Sequence, residues 1–205
     1  MPLDGSIDEI DVLRGSEYAL LAVLLGAAPS ADLLLRISGL RGDATALGLA
    51  HIALADAARA AQDSAVEREY FNLFIGLARG ELLPYGSWYQ TGFLHERPLA
   101  RVREDLAALG VERDGPGKEP EDHIAILCEV MAGMAQGRFE ADLDAQARFF
   151  QRHIEPWAAR FYDRVHAVPT ALHAVERNRR LTGAALAYVP AGPADYGLRV
   201  PSSQG

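Results

Sequence analysis

Apolar residues recur at spacings of three and four along most of this chain, and glycine, proline or short polar stretches interrupt them. This period is typical of helices that bury one face. In the first third of the chain it predicts three helices. They run from a Ser6 cap to about Leu25, from Ser30 to about Ser38, and from an Asp43 cap to about Ala61.

A fourth helix is predicted from the capping-box pattern Ser64-x-x-Glu67, in which two side chains satisfy free backbone N–H groups at a helix start. The apolar positions behind it fall on one helical face. They are Val66, Tyr70, Leu73, Phe74 and Leu77.

Residues 79–92 contain glycines and Pro84, so they are predicted to form a loop. This loop carries three aromatic side chains, Tyr85, Trp88 and Tyr89. Such a loop is either anchored to the body of the protein or used for binding, and the sequence leaves both alternatives open.

The second half predicts further helices and no convincing strand. They are placed from Pro98 to about Gly110, from Glu119 to about Gln136, from Asp142 or Asp144 onward with a break or kink at Pro156, and from Pro169 to about Tyr188. Residues 190–205 lack this period and are expected to be extended or poorly ordered. The prediction is therefore an all-α, single-domain bundle of eight or nine helices over residues 1–189, followed by a tail.

Composition and charge narrow the classes of partner. The chain has 205 residues, with 28 acidic against 20 basic side chains and a net charge of -8. Nucleic acid is excluded as an expected partner, because phosphate binding needs a basic face. An acidic protein can instead attract a basic peptide.

Compartment and membrane signals point to a cytoplasmic protein. Cys128 is the single cysteine and lies in an apolar helical stretch, so it is predicted to be a buried structural thiol. The apolar run over residues 18–28 is too short to span a bilayer and follows acidic residues. We therefore expect it to form a core helix, without membrane insertion.

The candidate chemistry lies at residues 119–123, Glu-Pro-Glu-Asp-His, next to a Gly-Pro-Gly loop. An acidic, hydrogen-bonding cluster at a loop–helix junction can capture a basic peptide. In the simpler alternative, Asp122 only caps the helix and His123 is a polar residue of its first turn. Catalytic and metal-binding motifs were not found, and Glu112 and Glu119 occupy the positions where a phosphate-binding loop needs Gly and Ser or Thr. No spacing supports a metal site built from Asp122, His123 and His153.

Four short motifs, in order over about residues 66–166, resemble those of the TorD/DmsD family. They are Tyr70-Phe71-Asn72-Leu73-Phe74, Pro84-Tyr85-Gly86-Ser87-Trp88-Tyr89, Glu119-Pro120-Glu121-Asp122-His123 and His153-Ile154-Glu155-Pro156-Trp157. Members of that family are cytoplasmic chaperones that mature molybdenum enzymes and bind their twin-arginine signal peptides.

The resemblance implies a non-enzymatic chaperone with no cofactor of its own. It would bind the signal peptide and the apoenzyme of a molybdenum-containing oxidoreductase and assist cofactor insertion before export. A homodimer is left open. The residues assigned to peptide binding are Tyr85, Ser87, Trp88, Tyr89, Glu119, Glu121, Asp122 and His123.

Two other functions stay open from the sequence. One is a small helical hydrolase or lyase that uses Asp122 and His123 as an acid–base pair. The other is a helical adaptor that recognises folded protein. Arg179-Arg180 precedes an apolar run and superficially resembles a twin-arginine signal. It is interpreted as part of a basic last helix, or as an internal mimic of the ligand.

Overall fold

The computed structural model describes residues 8–77, 80–113, 119–167 and 198–199. These residues contain nine α-helices, so the all-α prediction is confirmed. The helices are α1 (Glu9–Gly26), α2 (Ala31–Ser38), α3 (Ala46–Ala60), α4 (Asp63–Tyr70), α5 (Gly86–Thr91), α6 (Arg97–Ala108), α7 (Ile124–Ala135), α8 (Leu143–His153) and α9 (Glu155–Ala167).

Helix α7 is the centre of the molecule, and every one of its residues is buried. Helix α1 packs along it at close range at Gly15. A Cβ atom at that position would lie 2.6 Å from the Gln136 Cγ and 3.3 Å from the Ala132 carbonyl oxygen. A helix that is apolar all round can only be stable when other helices surround it. Helices α1, α6, α8 and α9 supply that cover through the main hydrophobic core.

A second, smaller core joins α1 to the hairpin of α2 and α3. It consists of Leu20, Leu33, Ile37, Leu54 and Ala58. Helix α1 therefore contributes to both cores, one on each side.

Three predicted helix starts are wrong in detail. Helix α1 is capped by Asp8 rather than by Ser6, which lies outside the described residues. Helix α3 is capped by Thr45, whose hydroxyl also donates to the Asp43 carboxylate at 2.5 Å. Helix α4 begins at Asp63 without a side-chain cap, so the capping box is not formed. In each case a polar residue close to the predicted one occupies the N-cap geometry, which periodicity locates only to within a few residues.

Two further boundaries differ around the candidate motifs. The predicted loop over residues 79–92 contains helix α5, because glycine at its first position does not prevent a short helix. Helix α7 begins at Ile124 instead of Glu119, so residues 119–123 form the approach to the helix. Helix α4 continues into a π-helical segment, Phe71–Ile75, in which Leu73 is buried. Leu77, which was predicted to lie on the apolar face of this helix, follows the segment and is fully exposed.

Strands β1 (Glu112–Arg113) and β2 (Leu198–Arg199) pair antiparallel, Glu112 opposite Arg199 and Arg113 opposite Leu198. The expectation of no strand is therefore wrong at this pair. Because each strand has only two residues, the fold class is still all-α. The predicted helix over residues 169–188 and the Arg179-Arg180 pair lie outside the described residues.

Cys128 is buried as predicted, and burial raises the pKa of its thiol to about 12. Among the described helices, none combines the length and the apolar character that crossing a bilayer requires.

Candidate functional site

Two of the motifs are joined by backbone pairing. The Ile124 N–H donates to the Pro84 carbonyl at 2.9 Å, and the Gly86 N–H donates to the Asp122 carbonyl at 2.9 Å. Residues Tyr85 and His123 thereby face each other as an antiparallel bridge. The starts of α5 and α7 are fixed to one another, although their motifs are more than thirty residues apart in the sequence.

The buried side chain of Asp122 stabilises this junction through a hydrogen bond to the start of α5. It is 1% exposed, and one carboxyl oxygen accepts the Ser87 N–H at 2.7 Å. Ser87 is itself fully buried in the first turn of α5. A carboxyl group at a helix start satisfies a backbone N–H that the helix leaves free. Asp122 thus holds the start of α5, the neighbouring helix, and does not cap its own helix α7.

His123 caps α7 instead. Its Nδ1 accepts the Ala125 N–H at 3.1 Å, which leaves the proton of the neutral ring on Nε2. The ring packs edge-on against Tyr85 with centroids 5.2 Å apart. Burial lowers the pKa of His123 to about 4. The negative charge of Glu119 raises this pKa in part, and the positive charge of Arg113 lowers it further. Neither Asp122 nor His123 is therefore arranged as the acid–base pair of a hydrolase.

The buried His123 predicts an acid-sensitive fold. Its pKa falls from an ordinary 6.5 to about 4 on folding, so between these values the unfolded chain binds a proton that the folded chain does not. Stability therefore decreases as the pH falls through this window. We expect about 2 kcal/mol to be lost between roughly pH 7 and pH 5 through this group.

Urea titrations of the wild type and of His123→Asn over that range would measure the effect. Asparagine keeps an N-cap acceptor but does not titrate. A variant whose stability depends on pH as steeply as that of the wild type would show that His123 is not responsible.

Above this junction lies an open cavity of about 360 Å³. The C-terminal end of α1, α4, the π-helical segment and the two joined motifs surround it. Its lining residues are Gly26, Ala27, Ala28, Glu67, Tyr70, Phe71, Phe74, Ile75, Pro84, Tyr85, Glu119 and His123. The walls are mostly apolar and aromatic, with the carboxylates of Glu67 and Glu119 as the acidic groups.

Glu119 is held in a defined position at this cavity. Its carboxylate accepts the Tyr85 hydroxyl at 2.5 Å, and the Arg113 guanidinium donates to its backbone carbonyl. Burial, with the charge of Glu119, raises the pKa of Tyr85 well above its usual value. The same two causes raise the pKa of Tyr70 to about 12, and its hydroxyl donates to the Leu25 carbonyl at 3.2 Å. Both phenols stay protonated and act as donors near neutral pH.

The structure separates the other predicted residues from this cavity. Glu121 pairs with Arg103 at 2.8 Å on the side of α6. Trp88 and Tyr89 line a different cavity of about 450 Å³, together with residues of α9. Tyr89 also stacks on Trp157, with ring centroids 5.3 Å apart. Of the eight predicted residues, Tyr85, Glu119 and His123 line the first cavity, while Ser87 and Asp122 support it from the interior.

The sequence did not predict the cavity wall that includes Glu67, Phe71 and Ile75. Glu67, Phe71 and Ile75 lie at spacings of four, on one side of a helix, but the apolar face was assigned instead to Val66, Tyr70, Leu73, Phe74 and Leu77. A π-helical turn covers Phe71–Ile75 within this segment. The aromatic pair Tyr70 and Phe74, with centroids 5.0 Å apart, was a signal within the recognised Tyr-x-x-Leu-Phe motif.

His153 belongs to a separate structural cluster. Its Nε2 lies 2.6 Å from the Asp105 carboxylate, and its carbonyl accepts the Trp157 indole N–H at 2.6 Å. Burial lowers the pKa of His153, and the Asp105 hydrogen bond opposes that shift. In the part of the chain that the structure describes, no three His, Cys, Asp or Glu residues are grouped so as to hold a metal ion.

Comparison with known proteins relates this chain to one family. The sequence model of the nitrate reductase delta subunit family matches residues 40–163. The chain is 32% identical over 114 residues to the chaperone protein TorD of Vibrio cholerae serotype O1, covering 50% of this chain and 52% of that protein. It is 32% identical over 108 residues to the chaperone protein TorD of Shewanella loihica, covering 47% and 48%. The chain spans about half the length of the curated relatives it matches.

The fold is also that of a solved structure. It is the crystal structure of a redox enzyme maturation protein from Archaeoglobus fulgidus, with a TM-score of 0.54 and 20% sequence identity. The match covers 82% of this chain and 93% of that one. At that identity the likeness supports the architecture, and the function has to be argued from the site.

Proposed function

Because the chain belongs to the nitrate reductase delta subunit family, the TorD-like family that its four motifs resemble, we propose that it is a non-enzymatic chaperone of redox enzyme maturation. It binds the twin-arginine signal peptide of a molybdenum-containing oxidoreductase in the cavity between α1, α4 and Glu119. It holds the apoenzyme in the cytoplasm until its cofactor is inserted. The observation that carries the proposal is the combination of an oriented carboxylate and an apolar wall in one open cavity.

The acidic end of the cavity suits a guanidinium. A carboxylate binds the planar fork of arginine through two parallel hydrogen bonds, which an ammonium group cannot match. Glu119 is oriented in advance by the Tyr85 hydroxyl, so less side-chain freedom is lost on binding. Tyr70 and Tyr85 line the same cavity, and aromatic rings are groups on which a guanidinium can stack.

The apolar wall suits the hydrophobic segment that follows the arginines in such a signal. Phe71 is 38% exposed and Ile75 is 55% exposed, both on the π-helical segment. Large apolar side chains that stay exposed at the edge of a cavity mark a surface that is covered when a partner binds. The two ends together select a peptide that is basic at one point and apolar beside it.

The rival enzymatic function has no comparable support. An acid–base catalyst needs a group whose proton exchanges near the working pH. His123 has its pKa lowered to about 4, and its Nδ1 is used by the Ala125 N–H. The Asp122 carboxyl lies in the interior on the Ser87 N–H.

The experiment is a calorimetric titration with a peptide that carries an arginine pair followed by an apolar segment. We expect Phe71→Ala to weaken binding about tenfold, since it removes one aromatic anchor from the wall. Phe93→Ala is the matched control, because Phe93 is 69% exposed and does not line the cavity. Absence of binding to the wild type would refute the proposal. Equal affinity of the two variants would place the peptide elsewhere.

A further inference from the structure

The second cavity, of about 450 Å³, differs in chemistry from the first. Trp88 and Tyr89 of α5 form one side, and Arg160, Asp163 and Arg164 of α9 form the other. It shares none of these lining residues with the Glu119 cavity. Arg160 and Arg164 are one helical turn apart, so their side chains lie on the same face of α9. A ligand in this cavity would therefore contact different residues from those proposed for the signal peptide.

The two arginines give this cavity a positive charge on a protein of net charge -8. Arg160 donates to the Pro156 carbonyl at 3.1 Å. Neither Arg160 nor Arg164 forms an ion pair with any residue of the described parts of the chain. Asp163 also lines the cavity, and two guanidiniums against one carboxylate leave a net charge of +1.

The aromatic side of the cavity is rigid. The Tyr89 ring stacks on Trp157 and meets Phe161 edge-on, with centroids 5.3 Å and 6.0 Å apart. Trp157 and Phe161 are themselves buried in the core. A ring fixed in this way loses little freedom when a partner covers it. Tryptophan, tyrosine and arginine are also the residues that contribute most to binding in protein interfaces.

We infer that this cavity docks an acidic segment of a protein partner, in which carboxylates lie next to an apolar side chain. The carboxylates bind Arg160 and Arg164, and the apolar side chain packs on Trp88 and Tyr89. A free inorganic anion would use the guanidiniums and leave the aromatic surface uncovered. An acidic peptide uses both, so the lining favours the peptide.

The test uses a dye-labelled peptide of repeating Glu-Glu-Leu and its Gln-Gln-Leu counterpart, with binding to the full chain followed by fluorescence anisotropy. We expect the acidic peptide to bind and Arg160→Glu/Arg164→Glu to weaken it at least about tenfold. The matched control is Arg41→Glu/Arg148→Glu, which changes the net charge equally on exposed arginines outside the cavity. Trp88→Ala should also weaken binding, while Gln-Gln-Leu should not bind.

A charge exchange gives a second readout. The Arg160→Glu/Arg164→Glu variant should bind a Lys-Lys-Leu peptide more tightly than the Arg41→Glu/Arg148→Glu variant does. Equal losses in both double variants would overturn the inference, because the effect would then come from net charge alone. Displacement by inorganic phosphate with no effect of Trp88→Ala would also overturn it, since the cavity would then be an anion site.

Discussion

Asp122→Ala is expected to lower the free energy of unfolding by about 3 kcal/mol, a drop of roughly 6–12 °C in Tm for a chain of this size. The variant leaves the Ser87 N–H buried without its acceptor and opens a space where the carboxyl group was. It also loosens the backbone pairing that joins the starts of α5 and α7. Thermal melts and urea titrations measure the loss.

Asp122→Asn is the control for that variant, because it keeps the hydrogen-bond acceptor and removes the carboxylate. Its amide oxygen can still accept the Ser87 N–H, and its nitrogen replaces a buried oxygen that has no hydrogen-bond partner within the described residues. We therefore expect a clearly smaller loss of stability than in the alanine variant. If both substitutions left the melting temperature unchanged but abolished peptide binding, Asp122 would be a ligand-contacting residue and the interior role assigned here would be wrong.

Glu119→Lys is expected to weaken binding of the twin-arginine peptide by about a hundredfold, with little change in stability. The lysine places a like charge where a guanidinium is proposed to lie and removes the acceptor of the Tyr85 hydroxyl. Glu119→Gln should give a smaller loss, since it removes the charge and keeps an acceptor. Calorimetric titration at low and moderate salt measures both variants.

Glu121→Lys distinguishes a specific contact in the cavity from the effect of net charge on peptide binding. It changes the net charge by the same amount, but Glu121 points to Arg103 and does not line the cavity. We expect it to alter the peptide affinity much less than Glu119→Lys does. Replacing the two arginines of the peptide by lysines should weaken binding to the wild type and leave the Glu119→Lys variant unaffected. Similar losses for both glutamate variants would contradict a specific contact at Glu119.

The helices themselves followed from the sequence, because the three-to-four period of apolar residues records which face of each helix is buried. The break between α8 and α9 near Pro156 and the start of α2 at Ser30, its N-cap, were predicted correctly, since proline and serine act on the backbone locally. The four motifs also identified the family, because they preserve residue types at fixed spacings.

The boundaries were less predictable where several polar residues compete for one position. Asp43 and Thr45 both suit an N-cap, and the backbone at Thr45 takes the cap geometry. The same ambiguity placed the start of α7 too early, at Glu119 instead of Ile124. Local propensities differ too little to choose between such neighbours, so tertiary packing decides.

By itself, then, the sequence determined an all-helical chain, a buried thiol at Cys128 and a junction of special chemistry at Glu119, Asp122 and His123. Only the tertiary structure decided which way those side chains point. It turned Asp122 inward to Ser87 and Glu119 outward to the cavity, and it placed Trp88 on the other side of α5. The physical reason is that these directions depend on the pairing of residues 84–86 with residues 122–124, a contact between distant segments that no local pattern encodes.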